Sequence, residues 1–165
     1  MKQLWQQLEN YLSAHNPELL ADLNPPATGA QIRELEQAIG VQLPADFVCF
    51  LKVHNGQVGQ ADPLFEGGRF LSIGEIARES KLWSNLLNTG AFKGFKPEPQ
   101  SGVAATWWSD LWIPFAANDE GDCICLDLEP AAEGAKGQVI QVWHDDGGRE
   151  VLAGSFEKFV SDILR

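Results

Sequence analysis

The chain has 165 residues, 44% of them apolar and 21% charged, which suits one globular domain and excludes disordered or collagen-like behaviour. Twelve bases stand against 23 acids, a net charge of -11. That balance argues against binding nucleic acid, where affinity rests on neutralising phosphates, and against docking on anionic lipid.

The N-terminus shows neither the apolar region nor the small-residue cleavage site of a secretory leader, and no apolar run approaches a bilayer span. Cys49, Cys123 and Cys125 are odd in number. Reduced thiols in a cytoplasm are the expectation. The first periodic segment, residues 3–14, places Leu4, Leu8, Tyr11 and Leu12 on one helical stripe with Trp5 beside it. A polar link is expected from His15 to Ala27. Thr28 and Gln31 have the spacing of a capping box. The helix they open carries Ile32, Leu35 and Ile39 and ends at Gly40 in the left-handed form. Leu43-Pro44 opens a third helix bearing Phe47, Phe50, Leu51 and His54, with Asn55-Gly56 expected to stop it.

After a turn-rich stretch, Arg69–Leu71 reads as a short strand. Ser72 and Glu75 form a second capping box, starting a helix that buries Ile76 and Trp83 and ends near Gly90. Residues 91–110 have no period and hold Pro97 and Pro99; a loop of that length is a binding element or mobile. Strands are expected at Leu111–Ala116, Cys123–Leu128, Gln138–Trp143 and Glu150–Leu152. Pro114 cannot donate to a ladder and must lie at an edge or a bulge. Ile124, Leu126 and Leu128 share one strand face and Cys123 and Cys125 the other, so that strand is expected to be covered on both sides. Asp145-Asp146-Gly147-Gly148 reads as a hairpin turn. Ser155 caps a closing helix with Phe156, Phe159, Val160 and Ile163. Helices first, then a strand meander, then a last helix predict an α+β fold: one domain, 1–165, with a largely antiparallel mixed sheet flanked by helices.

Together these residues resemble a known family. Pro25-Pro26-Ala27-Thr28, Leu43-Pro44-Ala45-Asp46-Phe47 and His54-Asn55-Gly56-Gln57 are similar to the first half of the SUKH superfamily, in its Smi/Knr-like branch. Trp112-Ile113-Pro114-Phe115-Ala116, Gly121-Asp122 and Ser155-Phe156 are similar to its second half. The resemblance implies a binding domain without shared catalytic residues or cofactor. Bacterial members are commonly immunity proteins that occlude a cognate toxin; other members are intracellular regulators or adaptors. The primary expectation is therefore a toxin-neutralising protein, and the alternative is a regulatory adaptor like those of cell-wall assembly.

The residues themselves offer few sites. No G-x-S-x-G, Walker A, H-E-x-x-H or dinucleotide fingerprint is present. Cys123-x-Cys125 with His144 lacks the spacing and the fourth ligand of structural zinc, so no metal is expected. His54 is explained as a donor at a helix C-terminus. Residues 118–150 hold nine acids and two bases, -7 in about a fifth of the chain. Asp119, Glu120 and Asp122 lie in one strand connection, Asp145 and Asp146 in another. They are candidate contacts for a basic protein partner such as a toxin domain; the other reading is a solvated face. Trp107 and Trp108, adjacent and so pointing apart, are candidate interface anchors if one is exposed; otherwise both lie under the long loop. The two acidic connections could lie at the same or at opposite ends of the sheet, and both alternatives stay open here, as does the oligomeric state.

Overall fold

The computed structural model describes residues 1–165. Six helices surround one six-stranded sheet. The helices are α1 (Lys2–His15), α2 (Pro17–Asp22), α3 (Gly29–Ile39), α4 (Ala45–Leu51), α5 (Ile73–Asn88) and α6 (Phe156–Ile163). The strands are β1 (Arg69–Phe70), β2 (Glu98–Pro99), β3 (Trp112–Ala117), β4 (Cys123–Asp127), β5 (Gln138–Val142) and β6 (Gly148–Ala153). Strand order is β1-β3-β4-β5-β6-β2, antiparallel throughout except for the parallel pairing of β2 with β6. This is the expected α+β class. Both edge strands have two residues, which leaves little open ladder for another chain to extend.

Alternation along the strands divides the interior in two. Ile113, Phe115, Ile124, Leu126 and Val139 face a main core built with α1, α3, α4 and α6. Trp112, Cys123, Cys125, Ile140 and Val142 face a smaller core under α5 and the 91–110 segment. Every residue of β4 is buried, because β4 is central and covered on both sides. Pro114 sits at a bulge: the β3–β4 register shifts between Pro114 and Ala116, so the missing donor interrupts no regular pair. In the main core Trp5 stacks on Phe50 at 4.2 Å between ring centroids, and its indole N–H donates to the Phe50 carbonyl at 3.0 Å.

Local signals placed most helix ends. Thr28 and Ser72 close reciprocal capping boxes with Gln31 and Glu75, and Ser155 caps α6 through the Lys158 N–H. Gly40 is left-handed, with φ 74°. Two expectations fail. The link after His15 contains α2, capped by the Asn16 side chain with Pro17 at its first position. And Asn55-Gly56 does not end α4, which stops at Leu51 with Lys52 as its right-handed C-cap. Gly56 has φ 72° for a different reason: a Cβ there would lie 2.3 Å from the Ser72 nitrogen. The backbone of the Gly56 segment passes too close to the α5 N-terminus for any side chain.

Gln57, next to it, is a buried hub. Its carbonyl oxygen accepts the Leu64 and Phe70 N–H groups, and its amide donates to Asp22 Oδ2 and the Asp62 carbonyl. Asp22, buried, also accepts the Gly59 and Gln60 N–H groups at 2.9 Å each. Burial works to raise its pKa, but the bonds it accepts outweigh that and hold the carboxyl below the usual range.

Candidate functional site

Strand parity decides where the acids go. The β3–β4 connection (118–122) and the β5–β6 hairpin (143–147) both follow strands running the same way, so they emerge at one end of the sheet. Their adjacency is direct. Asp122 Oδ1 accepts the His144 backbone N–H at 3.0 Å and faces His144 Nδ1 at 2.8 Å. Asp122 Oδ2 accepts the Asn118 amide at 3.1 Å. Asn118 in turn accepts the Glu120 and Asp122 N–H groups, which shapes the turn. Up-and-down parity in the meander was the signal that could have located this pairing.

The five acids therefore take two roles. Asp119, Glu120, Asp145 and Asp146 are exposed at that end. Asp122 is 7% exposed and faces inward, so it is a clamp between the two connections rather than a partner contact. Burial acts to raise its pKa, but hydrogen bonds from His144 and Asn118 outweigh that and leave it lowered. The same bond, helped by the charges of Asp145 and Glu120, raises the pKa of His144 above 6.5. Nδ1 of His144 and Oδ1 of Asp122 are thus committed to each other. Asp127 ends β4, and Glu129 and Glu133 lie in the β4–β5 connection, all at the opposite end, so the acidic run of the sequence is split in space.

Trp107 and Trp108 are 8% and 2% exposed. Neither is an exposed anchor. Trp108 stacks on Trp83 of α5 at 4.5 Å, and Trp107 packs against Phe95 at 4.8 Å. The indole N–H of each has no acceptor in the protein. The 91–110 segment is not a free loop. It contributes β2 to the sheet and covers the smaller core, and the large apolar side chain it leaves outward is Phe95, 52% exposed. Trp143 is half-buried beside the hairpin.

What holds this segment against the acidic hairpin is Arg149, which sequence reading counted only as a base. It is 1% exposed. Its Nη2 donates to the Trp107 carbonyl and its Nη1 to the Asp146 and Gly148 carbonyls, each at 2.7 Å. The guanidinium lies 4.9 Å from the centre of the Trp107 ring and 5.9 Å from that of Trp112. No carboxylate pairs with it, and burial lowers its pKa. Alternation of β6 places Arg149 inward, a signal overlooked because a hairpin arginine usually points to water.

Cys123 and Cys125 lie side by side in the smaller core, Sγ to Sγ 3.5 Å. Burial and the neighbouring thiol raise the Cys125 pKa well above normal, so it stays protonated and unreactive. His54, rather than capping α4, bridges the Asn24 carbonyl through Nδ1 and Glu9 through Nε2 at 2.6 Å. These are structural assignments.

Fold and surface together define an α+β module whose distinctive feature is a charged end face tied by buried polar groups. The chain belongs to the SMI1 / KNR4 family (SUKH-1), whose model matches residues 26–162. It is 28% identical to the cell wall biosynthesis and cell cycle regulator smi1 of Schizosaccharomyces pombe, over 96% of this chain and 34% of that protein. It is 23% identical to the cell wall assembly regulator SMI1 of Saccharomyces cerevisiae, over 94% of this chain and 38% of that one. A glucan synthesis regulatory protein of Neurospora crassa matches at 22%, over 96% of this chain and 37% of its own length. The chain thus spans little more than a third of these relatives. No helix is long and apolar enough to cross a membrane.

Proposed function

We propose that this chain is a protein-binding module of the regulatory type, an adaptor that acts by docking and not by catalysis. The observation that carries the reading is the end face of Asp119, Glu120, Asp145 and Asp146, held in fixed relation by the Asp122–His144 clamp. Four exposed carboxylates on two rigidly joined turns attract and orient a basic protein surface. The relatives, regulators of cell-wall assembly and glucan synthesis, support the adaptor reading over the toxin-neutralising one expected first. That expectation has only the wider superfamily behind it. The buried ionisable groups of unusual character, Arg149 and Cys125, are engaged in internal structure, which supports binding over chemistry.

The test is affinity purification from the native cell with the chain and with a variant carrying Asp119→Lys, Glu120→Lys, Asp145→Lys and Asp146→Lys. A partner with a basic surface should co-purify with the first, elute with rising salt, and be lost from the second. Equal recovery by both removes the acidic face from the reading.

A further inference from the structure

Beside the acidic end, on the main-core side of the sheet, runs an open groove of about 500 Å³ between α6 and strands β5 and β6. Leu152, Phe159 and Ile163 supply its apolar surface, and Glu66 with Gly67 forms its far lip. Leu152 is 36% exposed, and Phe159 and Ile163, one helical turn apart on α6, are each only partly covered. Gly67 has a φ of +104°, a conformation that side-chain-bearing residues rarely adopt, and it lies over Gln141 and the Ile124 methyl.

The groove is continuous with the acidic end. Gly68 packs against Ala117, the last residue before the Asn118–Asp122 connection, and Gly67 lies over Ile124 and Gln141, so the turn that carries Glu66 sits at the sheet end from which that connection leaves. Glu150 is the cross-strand neighbour of Gln141, on the same face. Lys158 and Arg165 share one carboxylate, Asp162, so that trio leaves a single positive charge against Glu66, Glu150 and the four acids of the end face. Resting on the adaptor reading, we propose that this groove seats a basic amphipathic helix of the partner, whose apolar ridge packs on Leu152 and Ile163 while its Lys and Arg side chains reach Glu66, Glu150 and the acidic turns. Residues four apart on such a helix match the Phe159–Ile163 spacing across the groove. A second copy of this chain is disfavoured as occupant, since two molecules of charge -11 would have to bring acidic faces together.

Three fluorescein-labelled 18-residue peptides test this by anisotropy: a Leu/Lys sequence with helical apolar periodicity, a scramble of the same composition, and a Leu/Glu counterpart. The periodic Leu/Lys peptide should bind at least about tenfold tighter than its scramble, and the Leu/Glu peptide not at all. The double variant Leu152→Ser, Ile163→Ser, checked for native circular dichroism, should lose about tenfold while retaining the salt dependence. Backbone amide shifts on titration should centre on Gln141, Leu152 and Ile163. If periodic and scrambled peptides bind alike, or the serine pair changes nothing, or the shifts centre elsewhere, the groove is not the seat; the acidic adaptor face survives that result. If the Leu/Glu peptide binds as well as the Leu/Lys one, the acidic reading and the groove fall together.

Discussion

Arg149 poses a question that its contacts alone do not answer, because burying an unpaired guanidinium is itself unfavourable. Two effects compete. The side chain satisfies three carbonyls, those of Trp107, Asp146 and Gly148. Each left without a donor costs about 1–2 kcal/mol, and the contacts with two indole rings add about 1–2 kcal/mol more. Against this stands the loss of hydration of the cation, several kcal/mol after relaxation, which an apolar replacement would recover. Hydrogen bonds to a charged donor are stronger than average, and the carbonyls already point inward, so the bonding side should win. For Arg149→Met, which keeps volume, we expect a net loss of about 2–4 kcal/mol in unfolding free energy by urea titration. Arg149→Lys should lose nearly as much, since an ammonium has no planar fork to serve carbonyls in three directions. In both variants the amides of 93–107 and 144–148 should exchange faster than those of β4. A methionine variant as stable as the parent, or more stable, would refute this balance and show that desolvation of the cation outweighs its bonds.

The Asp122–His144 tie has a defined pH window. The His144 pKa is raised, so its contribution is complete below about 6.5 and is lost as pH rises through the folded value; the Asp122 pKa is lowered, so its contribution is present above about 3.8 and is lost as pH falls through the folded value. The melting temperature of the parent relative to His144→Gln should therefore show its largest advantage near pH 5 and shrink by pH 8.5; a constant difference would contradict the tie. Gly56→Ala should destabilise by about 3 kcal/mol or more, through left-handed strain and the clash with the Leu71–Ser72 backbone, whereas Gly40→Ala, with open space around it, should lose only about 1–2 kcal/mol. Equal losses in chemical denaturation would show that the close approach is not what requires Gly56. Gln57→Met removes both halves of a buried hub and should cost about 3–5 kcal/mol, accompanied by protease cleavage in 58–68; a loss under 1 kcal/mol would refute the hub.

Short-range chemistry was written plainly in the chain. The capping boxes at Thr28 and Ser72, the left-handed Gly40, the bulge at Pro114 and the hairpin at Asp145–Gly148 each depend on a few neighbouring residues, so their signals survive without knowledge of the fold. Period likewise divided β4 correctly, with Ile124, Leu126 and Leu128 to one core and the cysteines to the other. The local errors came from short-range rules applied where packing dominates: α2 has only six residues, Gly56 is dictated by a backbone fifteen residues away, and His54 reaches Asn24 and Glu9 instead of its own helix end. The candidate site depended still more on the third dimension. Composition revealed an acidic run but not its division, and the same carboxylate type became an exposed group at Asp119 and an inward clamp at Asp122. The tryptophans read as possible anchors are buried against Phe95 and Trp83, and Arg149, only a charge in the composition, is a buried pin. Charge and hydrophobic period are properties of a residue and its near neighbours along the chain. Burial and pairing depend on what other strands and loops bring against it, and that is settled only when the sheet closes.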